Sequence, residues 1–457
     1  MHEETIAAIA TPPGVGGIAV IRISGPLAEE MLHRLFRPKR LVRSFHNHHL
    51  YHGDIVHPDT GSILDEGMVC LMRKPQSYTG EDVLEVHCHG GVLLPQTILS
   101  AIFAAGGRPA GAGEFTRRAF LNGRIDLTQA EAISDMIAAR TERALEAALS
   151  QLKGELRGTV DAWIDSTTHI LAELEAAIEF SEDLEEMSVE DISGRLRLLA
   201  DDFRRLASTH GRGRMLRHGA SVVIAGRPNV GKSSLLNRLL GERRAIVTAV
   251  PGTTRDFIEE SVNILGIPVR IMDTAGIRTA EGDIEQAGID LVWERLAEAD
   301  AVVMLLDGSE PLTPEDRGIL GKIGEKRVIP AINKADMTHV LQEDDLKEVL
   351  HEKPVWISAK YDTGLEDLKA AVHDQLAGSR NGETGPAMVV TALRHRLAME
   401  GAAGFLSQAA DGAAQGISPE LIALDIREAL DRLQEIGGNI ANDDILDRIF
   451  STFCIGK

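Results

Sequence analysis

The sequence predicts an α/β multidomain chain in which a helical bundle is discontinuous and holds an inserted α/β domain. Three observations predict this. The chain has 457 residues, more than a single core holds. Short apolar runs bounded by glycine and proline dominate residues 1 to about 120, whereas helical periodicity rich in Ala, Leu, Glu and Arg fills about 121–217 and returns over 381–457. Between those helical stretches, over about 218–380, apolar runs each deliver a glycine-rich or Asp/Asn-bearing turn, as a parallel sheet does at its carboxyl ends.

In the first region Ile18–Ile23 reads as a strand ending at Ser24-Gly25-Pro26. Gly67–Met72 and Val83–Cys88 read as further strands, and Leu93–Ala105 as a helix stopped by Gly106-Gly107. From about 121 the period changes. Thr128-Gln-Ala-Glu131 fits a capping box opening one long helix, with apolar positions at Ile133, Ile137, Leu145, Leu149 and Leu152. Beyond the loop Gly378–Pro386, Ser418-Pro419-Glu420 sets an N-cap with proline at the first helical position, and that helix runs to Gly437-Gly438.

Composition narrows the function classes. No run approaches eighteen uninterrupted apolar residues, so no membrane span is expected, and the acidic start Met1-His-Glu-Glu does not resemble a secretory signal. Cys70, Cys88 and Cys454 are odd in number, scattered and never at C-x-x-C spacing, which speaks for a reducing cytoplasm and against a zinc site. The net charge of −21 opposes a large self-sufficient nucleic-acid surface. Two basic stretches, Arg34–Arg43 and Arg204–Arg217, read best as solvated faces; an RNA substrate would need a partner for much of its grip.

The inserted region carries the clearest chemistry. Gly226-Arg227-Pro228-Asn229-Val230-Gly231-Lys232-Ser233 fits G-x-x-x-x-G-K-[ST] between the strand-like Ser221–Ala225 and the helical Ser234–Leu240. This order aims backbone N–H groups and a helix N-terminus at phosphate, with Lys232 for the β and γ phosphates and Ser233 for Mg²⁺. Four more stretches follow in the order a GTPase needs. Pro251-Gly252-Thr253-Thr254-Arg255-Asp256 offers a switch threonine, and Asp273-Thr274-Ala275-Gly276 after the strand Val269–Met272 is the D-x-x-G that watches Mg²⁺ and the γ-phosphate. Asn333-Lys334-Ala335-Asp336 follows Val328–Ile332, its carboxylate placed to accept from guanine N1–H and the 2-amino group, and Ser358-Ala359-Lys360 completes the base pocket. The set predicts a Ras-like P-loop G domain that binds GTP. Ile277 stands where Ras-like proteins carry a water-orienting Gln, so another group must place the water.

Over its whole length the sequence resembles the MnmE (TrmE) family of bacterial tRNA-modification GTPases. The resemblance rests on Thr11-Pro-Pro-Gly14, Ile21-Arg-Ile-Ser-Gly25, Tyr78-Thr-Gly-Glu-Asp82, His89-Gly-Gly91, Gly113-Glu-Phe-Thr116, Arg118-Ala-Phe-Leu-Asn122 and the ending Phe453-Cys-Ile-Gly-Lys457. It implies an N-terminal tetrahydrofolate-binding and dimerisation domain over 1–120, a helical domain split into 121–217 and 381–457, and an inserted G domain over 218–380. It further implies a homodimer that joins an MnmG-type FAD- and NADH-dependent flavoprotein in a heterotetramer or larger complex. That complex modifies C5 of the wobble uridine of certain tRNAs with a one-carbon unit from 5-formyl- or methylene-tetrahydrofolate. By the same resemblance Ser233 and Thr254 hold Mg²⁺, and Asn229, Thr248, Val250 and Thr253 surround K⁺. Glu285, twelve residues past Asp273, matches the family's catalytic glutamate, which by resemblance answers the absence of a Gln at Ile277. The resemblance likewise implies that Arg22, Glu85, Arg124 and Lys457 bind folate, with Arg124 where relatives often have Lys, and that Cys454 stands beside that site as the family's catalytic cysteine. A regulatory or ribosome-assembly GTPase switch is the alternative that the G motifs alone leave open.

Overall fold

The computed structural model describes residues 4–179, 189–242, 261–273, 296, 298–324, 326–342, 345–346, 352–377, 388–438 and 443–457. The N-terminal part is built from β1 (Ile6–Ile9), β2 (Ile18–Ser24), α1 (Ala28–Leu35), β3 (Phe36–Pro38), β4 (Leu50–Val56), β5 (Ile63–Met72), β6 (Val83–His89), α2 (Leu93–Ala104), β7 (Arg108–Pro109) and α3 (Glu114–Leu121). Its strands form one seven-stranded sheet in the order β3-β4-β5-β6-β2-β1-β7. Period-two alternation puts Ile21, Ile23, Leu84, Val86, Val69 and Leu71 on the face covered by α1 and α2. The opposite face therefore carries Arg22 directly across from Glu85, and Glu85 across from Cys70.

The helical part follows as α4 (Leu127–Ala138), α5 (Glu142–Leu152), α6 (Glu155–Glu179), α7 (Val189–Ser208) and α8 (His210–His218). The single long helix read from the sequence is thus three helices. The chain leaves α4 at Ala139 in an extended conformation, Thr141 caps α5 by accepting from Ala144 N at 3.2 Å, and Gly154 at φ 84° ends the next turn. The capping box is also displaced: Asp126 Oδ1 accepts from Gln129 N at 2.9 Å while Gln129 Oε1 accepts from Asp126 N at 3.0 Å. Glu131 is thereby released from capping and lies buried inside the protein.

The inserted part comprises β8 (Ala220–Ala225), α9 (Lys232–Glu242), β9 (Ser261–Ile264), β10 (Ile267–Asp273), β11 (Ala301–Asp307), α10 (Pro314–Ile323), β12 (Val328–Asn333), β13 (Val355–Trp356) and α11 (Leu365–Ala377). Its sheet runs β13-β12-β11-β8-β10-β9, with every neighbour parallel except the β9–β10 hairpin. The helical part resumes as α12 (Leu393–Ala414), α13 (Pro419–Gly437) and α14 (Asp443–Phe450). One core unites α6, α7, α12 and α13 around Phe203, Met399, Leu406, Ile426 and Leu433. Helices before and after the inserted sheet therefore share a bundle, and the chain is an α/β multidomain protein of the predicted class.

A buried ionic cluster ties the two junctions together. On α4, Glu131 lies 2.8 Å from His395 Nε2 and 3.3 Å from Arg394 Nη2, both at the start of α12, and Arg394 Nη2 is 2.9 Å from the same His395 nitrogen. One turn later Asp135 pairs with Arg217 Nε at 2.7 Å, in the last turn of α8, three residues before β8 begins. Arg217 is therefore not part of a solvated basic face, as its stretch had suggested; its side chain is 24% exposed and faces an almost buried carboxylate. Thr391 reaches both Asp135 and Gln151 at 3.4 Å, and Thr141 donates to Gly266 O in the β9–β10 turn at 2.8 Å. Burial alone would raise the Glu131 carboxyl, but His395, Arg394 and Arg217 hold it at about 2. Asp135 is pushed up to about 6 by burial and by Glu131, against the pull of Arg217.

The two carboxylates therefore affect stability with opposite sign. Glu131, with a lowered pKa, stabilises the fold above its ordinary range, and this is lost only as pH falls toward 2. Asp135, with a raised pKa, binds its proton more tightly in the fold, so its stabilising contribution at acid pH is lost as pH rises through about 6. Glu131→Gln is expected to cost about 3 kcal/mol in urea unfolding at pH 8, because it removes the carboxylate that the Arg394 guanidinium faces. Asp135→Asn is expected to cost far less and to remove part of the stability that the wild type gains between pH 8 and pH 5.

Candidate functional site: a nucleotide cradle and a charged pocket at the chain terminus

The first site sits at the carboxyl ends of the parallel strands, on either side of β8. All six residues of β8 are buried, so the chain leaves it from a fixed point. It turns through Gly226 at φ 152°, where a Cβ would stand 2.4 Å from Leu305 O, and through Asn229 at φ 63° and Gly231 at φ 103°. A Cβ on Gly231 would stand 2.3 Å from Asn333 Nδ2. Lys232 opens α9 and its Nζ donates to Gly226 O at 2.7 Å and Arg227 O at 2.8 Å, folded back over the loop. Ser233 and Ser234 follow in the first turn of α9. A loop of this shape is a cradle that side chains cannot fill and phosphate oxygens can.

Asn333 joins the loops. It ends β12 beside Asp307 of β11 and is buried. Its Nδ2 donates to Val230 O at 2.7 Å, and its Oδ1 accepts from Ala359 N at 3.0 Å. One amide thus holds the phosphate loop and the Ser358-Ala359-Lys360 loop at once. Lys334, at φ 65°, turns its ammonium onto Asp307 Oδ2, and Ala335 N donates to Ile357 O at 3.0 Å. Asp336 is exposed, and Ser358 donates its hydroxyl to Asp336 Oδ1 at 2.6 Å; that bond holds the carboxyl below its usual range. As an exposed carboxylate it can accept from a base edge that donates N–H groups. Lys360 lies with Nζ 4.8 Å from the centre of the Tyr361 ring.

Sequence reading had missed Asp307, the partner of Lys334, and Arg238 of α9, which donates to Lys360 O at 2.9 Å and pairs with Asp362 at 2.7 Å. The signal for Asp307 was present: an acidic residue ends a six-residue apolar strand at the edge where ligands bind. Asp273 ends β10 opposite Ile224 of β8, which brings its backbone to the same edge. Thr248, Ala249, Val250, Pro251, Gly252, Thr253, Thr254, Thr274, Ala275, Gly276, Ile277 and Glu285 lie outside the described residues. Among the described residues no cluster of His, Cys, Asp and Glu is arranged to hold a metal ion, and no helix is long and apolar enough to cross a membrane.

The second site lies on the open face of the N-terminal sheet. Arg22 donates from Nε at 3.0 Å and Nη2 at 2.9 Å to the same Glu85 oxygen. Its guanidinium lies 5.2 Å from the Tyr78 ring centre and 5.9 Å from that of Phe115. The chain terminus closes over it: Gly456 O lies 3.5 Å from Arg22 Nη1, Phe115 N donates to Lys457 O at 3.2 Å, and Ala112 bridges Ile455. Gly456 adopts φ 98°, and a Cβ there would stand 2.5 Å from Ile9 O, so the tail fits β1 only without a side chain. Burial and the neighbouring Arg22 lower the pKa of the Lys457 ammonium. Arg124 donates to Ser77 O at 3.1 Å, beside Tyr78, and Cys454 is exposed three residues before Lys457. The structure thus brings Arg22, Glu85 and Lys457 together, with Arg124 next to the Tyr78 wall. Tyr78 and Cys70 are additions that sequence reading did not make.

Asp336→Asn tests the base site. Recognition built on a donor-rich edge discriminates by about 10⁴ or more. The variant is expected to lose GTP affinity severely and to gain affinity for xanthosine triphosphate, measured by fluorescent-nucleotide titration; unchanged GTP affinity would remove Asp336 from base recognition.

Two family models match the chain: the GTP-binding protein TrmE N-terminus over residues 5–124 and the MnmE helical domain over 127–454. The chain is 51% identical to the tRNA modification GTPase MnmE of Syntrophus aciditrophicus, with 100% of both chains covered. It is 44% identical to the protein of that name from Natranaerobius thermophilus, again over 100% of both, and 45% identical to that of Geobacter metallireducens over 100% of this chain and 99% of the relative. A full-length match at this identity, on a chain whose described residues form a phosphate cradle and a charged cluster beside the C-terminal tail, places it in the MnmE family of tRNA modification GTPases.

Proposed function

We propose that this GTPase hydrolyses GTP to drive modification of tRNA, acting in the cytoplasm at C5 of the wobble uridine together with an MnmG-type flavoprotein that supplies FAD and NADH chemistry. The observation that supports this most is the occurrence of two different sites in one chain, with a buried ionic cluster on α4 between them. A switch whose only output is binding has no use for the Arg22–Glu85–Lys457 pocket.

At the G site, Lys232 leaves the carbonyls it caps to meet the β and γ phosphates, and Asn333 keeps the phosphate and base loops in register while Asp336 reads guanine. Ser233 and Thr254 are the residues to hold Mg²⁺, which would neutralise charge developing on the phosphates. Asn229, in its left-handed turn, would join Thr248, Val250 and Thr253 around K⁺. Glu285 would orient the attacking water, the work that Ile277 cannot do. At the second site Arg22, Arg124 and Lys457 offer three cations to the carboxylates of a reduced folate, and Glu85 accepts from its donor-bearing ring. Cys454 stands at the rim as the side chain available to the one-carbon chemistry. The molecule would work as a homodimer whose G domains pair when GTP and K⁺ are bound.

Two measurements check the division of labour. Turnover in Na⁺ in place of K⁺ is expected to collapse while GTP affinity stays within a few-fold; equal rates in the two salts would remove K⁺ from the mechanism. Cys454→Ser is expected to keep GTP hydrolysis and lose wobble-nucleoside modification, read by mass spectrometry of tRNA nucleosides from a complemented deletion strain. Full modification by this variant would leave Cys454 a structural role only.

A further inference from the structure

His87 has no place in the chemistry described so far. It lies two residues beyond Glu85 on β6, so both side chains leave the same face of the sheet, and it stands between Met68 of β5 and Val20 of β2. Its Nε2 is buried, has no hydrogen-bond partner among the described residues, and lies 3.5 Å from Glu85 Oε2. Both donated bonds of Arg22 go to the other oxygen, Oε1. The Glu85 carboxylate is thus fixed on one side and merely approached on the other. His87 and then Arg22 hold this carboxyl below its usual range although burial opposes them.

The groups around the imidazole limit what else it can serve. On its own strand His89 is engaged with Asp65 at 2.8 Å. On β5, Cys70 lies across from Glu85, and Glu66 is engaged by His52 at 3.0 Å and by Lys39 at 3.5 Å. On β2 the facing charge is Arg22, and from the tail it is Lys457, both cations. Glu85 is the carboxylate that adjoins Nε2.

We propose that His87 is a positioning residue for ligand recognition: its Nε2–H closes on Glu85 Oε2 and holds the carboxylate in the orientation that accepts the N–H donors of a reduced pterin ring. This rests on the folate reading of the site. Within that ligand the glutamyl carboxylates suit the three cations and would be repelled by Glu85. The 2-amino and ring N–H edge is the part rich in donors, so it is the part Glu85 can take. A carboxylate that accepts two N–H groups must be ionised and correctly turned. Arg22 alone fixes one oxygen and leaves rotation about the carboxylate axis to be set from the other side.

The test is a calorimetric titration of the full chain with 5-formyltetrahydrofolate from pH 5 to pH 8. Removing His87 lets burial raise the Glu85 carboxyl, so binding should fail at a higher pH than in the wild type. His87→Ala is expected to weaken binding about tenfold at pH 7 and to move the acid limb upward. His87→Gln, whose amide N–H can still reach Oε2, is expected to restore most of the affinity. The urea midpoint of each variant serves as the folding control. Affinity of His87→Ala within twofold of wild type across the whole range would overturn the proposal. So would a His87→Gln variant that is folded yet binds as weakly as His87→Ala with an unshifted profile. A wild-type chain that does not bind the folate at all would fail differently, overturning the folate reading on which the proposal rests.

Discussion

A carboxylate buried in α4 organises the chain. Glu131 is 5% exposed, and an ion so placed is tolerable only if cations meet it. Arg394 does so while His395 Nε2 lies 2.8 Å from the carboxylate, and both residues open α12, the first helix after the inserted part. Asp135, one turn along, takes Arg217 from α8, the last helix before that sheet. Both junctions of the inserted domain are therefore anchored on one helix twelve residues long. Such a cluster contributes little net stability compared with a well-packed apolar one; what it supplies is register, because the charges are satisfied in a single arrangement.

The same helix reaches the other site. Its first residue, Leu127, packs with Phe450 and Phe453 and against Phe120, so the segment just before Cys454 leans on the N-terminus of α4. A displacement of α8 or α12 that strains the Asp135–Arg217 or Glu131–His395 pairs acts on a rod whose far end touches the tail. Close packing transmits such a displacement instead of absorbing it. The N-cap of α5 on Gly266 O adds a second contact between the helical part and the hairpin of the nucleotide-binding sheet.

The residues that were legible in the sequence are those whose chemistry requires a fixed spacing along the chain. The phosphate loop, the Asn333–Asp336 turn and the Ser358–Lys360 turn lie at strand ends, where local pattern and tertiary position coincide. What could not be read depends on partners distant in sequence. Thr128–Glu131 fits a capping box as well as Asp126–Gln129 does; only the fold, by burying Thr128 completely and Glu131 nearly so, selects the second. Arg217 belongs to a basic run and looks solvated until Asp135 is brought to it. The break between α4 and α5 was likewise hidden, since Ala138–Arg140 carries no proline or glycine and the cap at Thr141 also bonds a distant carbonyl. His87 gave no signal, because its meaning lies in its distance from an oxygen of Glu85.

The central claim is that nucleotide state and the tail-closed pocket are coupled through α4. Coupling between sites is reciprocal, so it is visible as a change in ligand affinity without any modification assay. The direct measurement is the affinity of the full chain for 5-formyltetrahydrofolate with GDP and with GDP–aluminium fluoride in K⁺, in the wild type and in Asp135→Ala. The account predicts a difference of about fivefold or more between the two nucleotide states in the wild type, corresponding to about 1 kcal/mol, and its loss in the variant. Equal affinities in both states of the wild type, or an undiminished difference in Asp135→Ala, would contradict it.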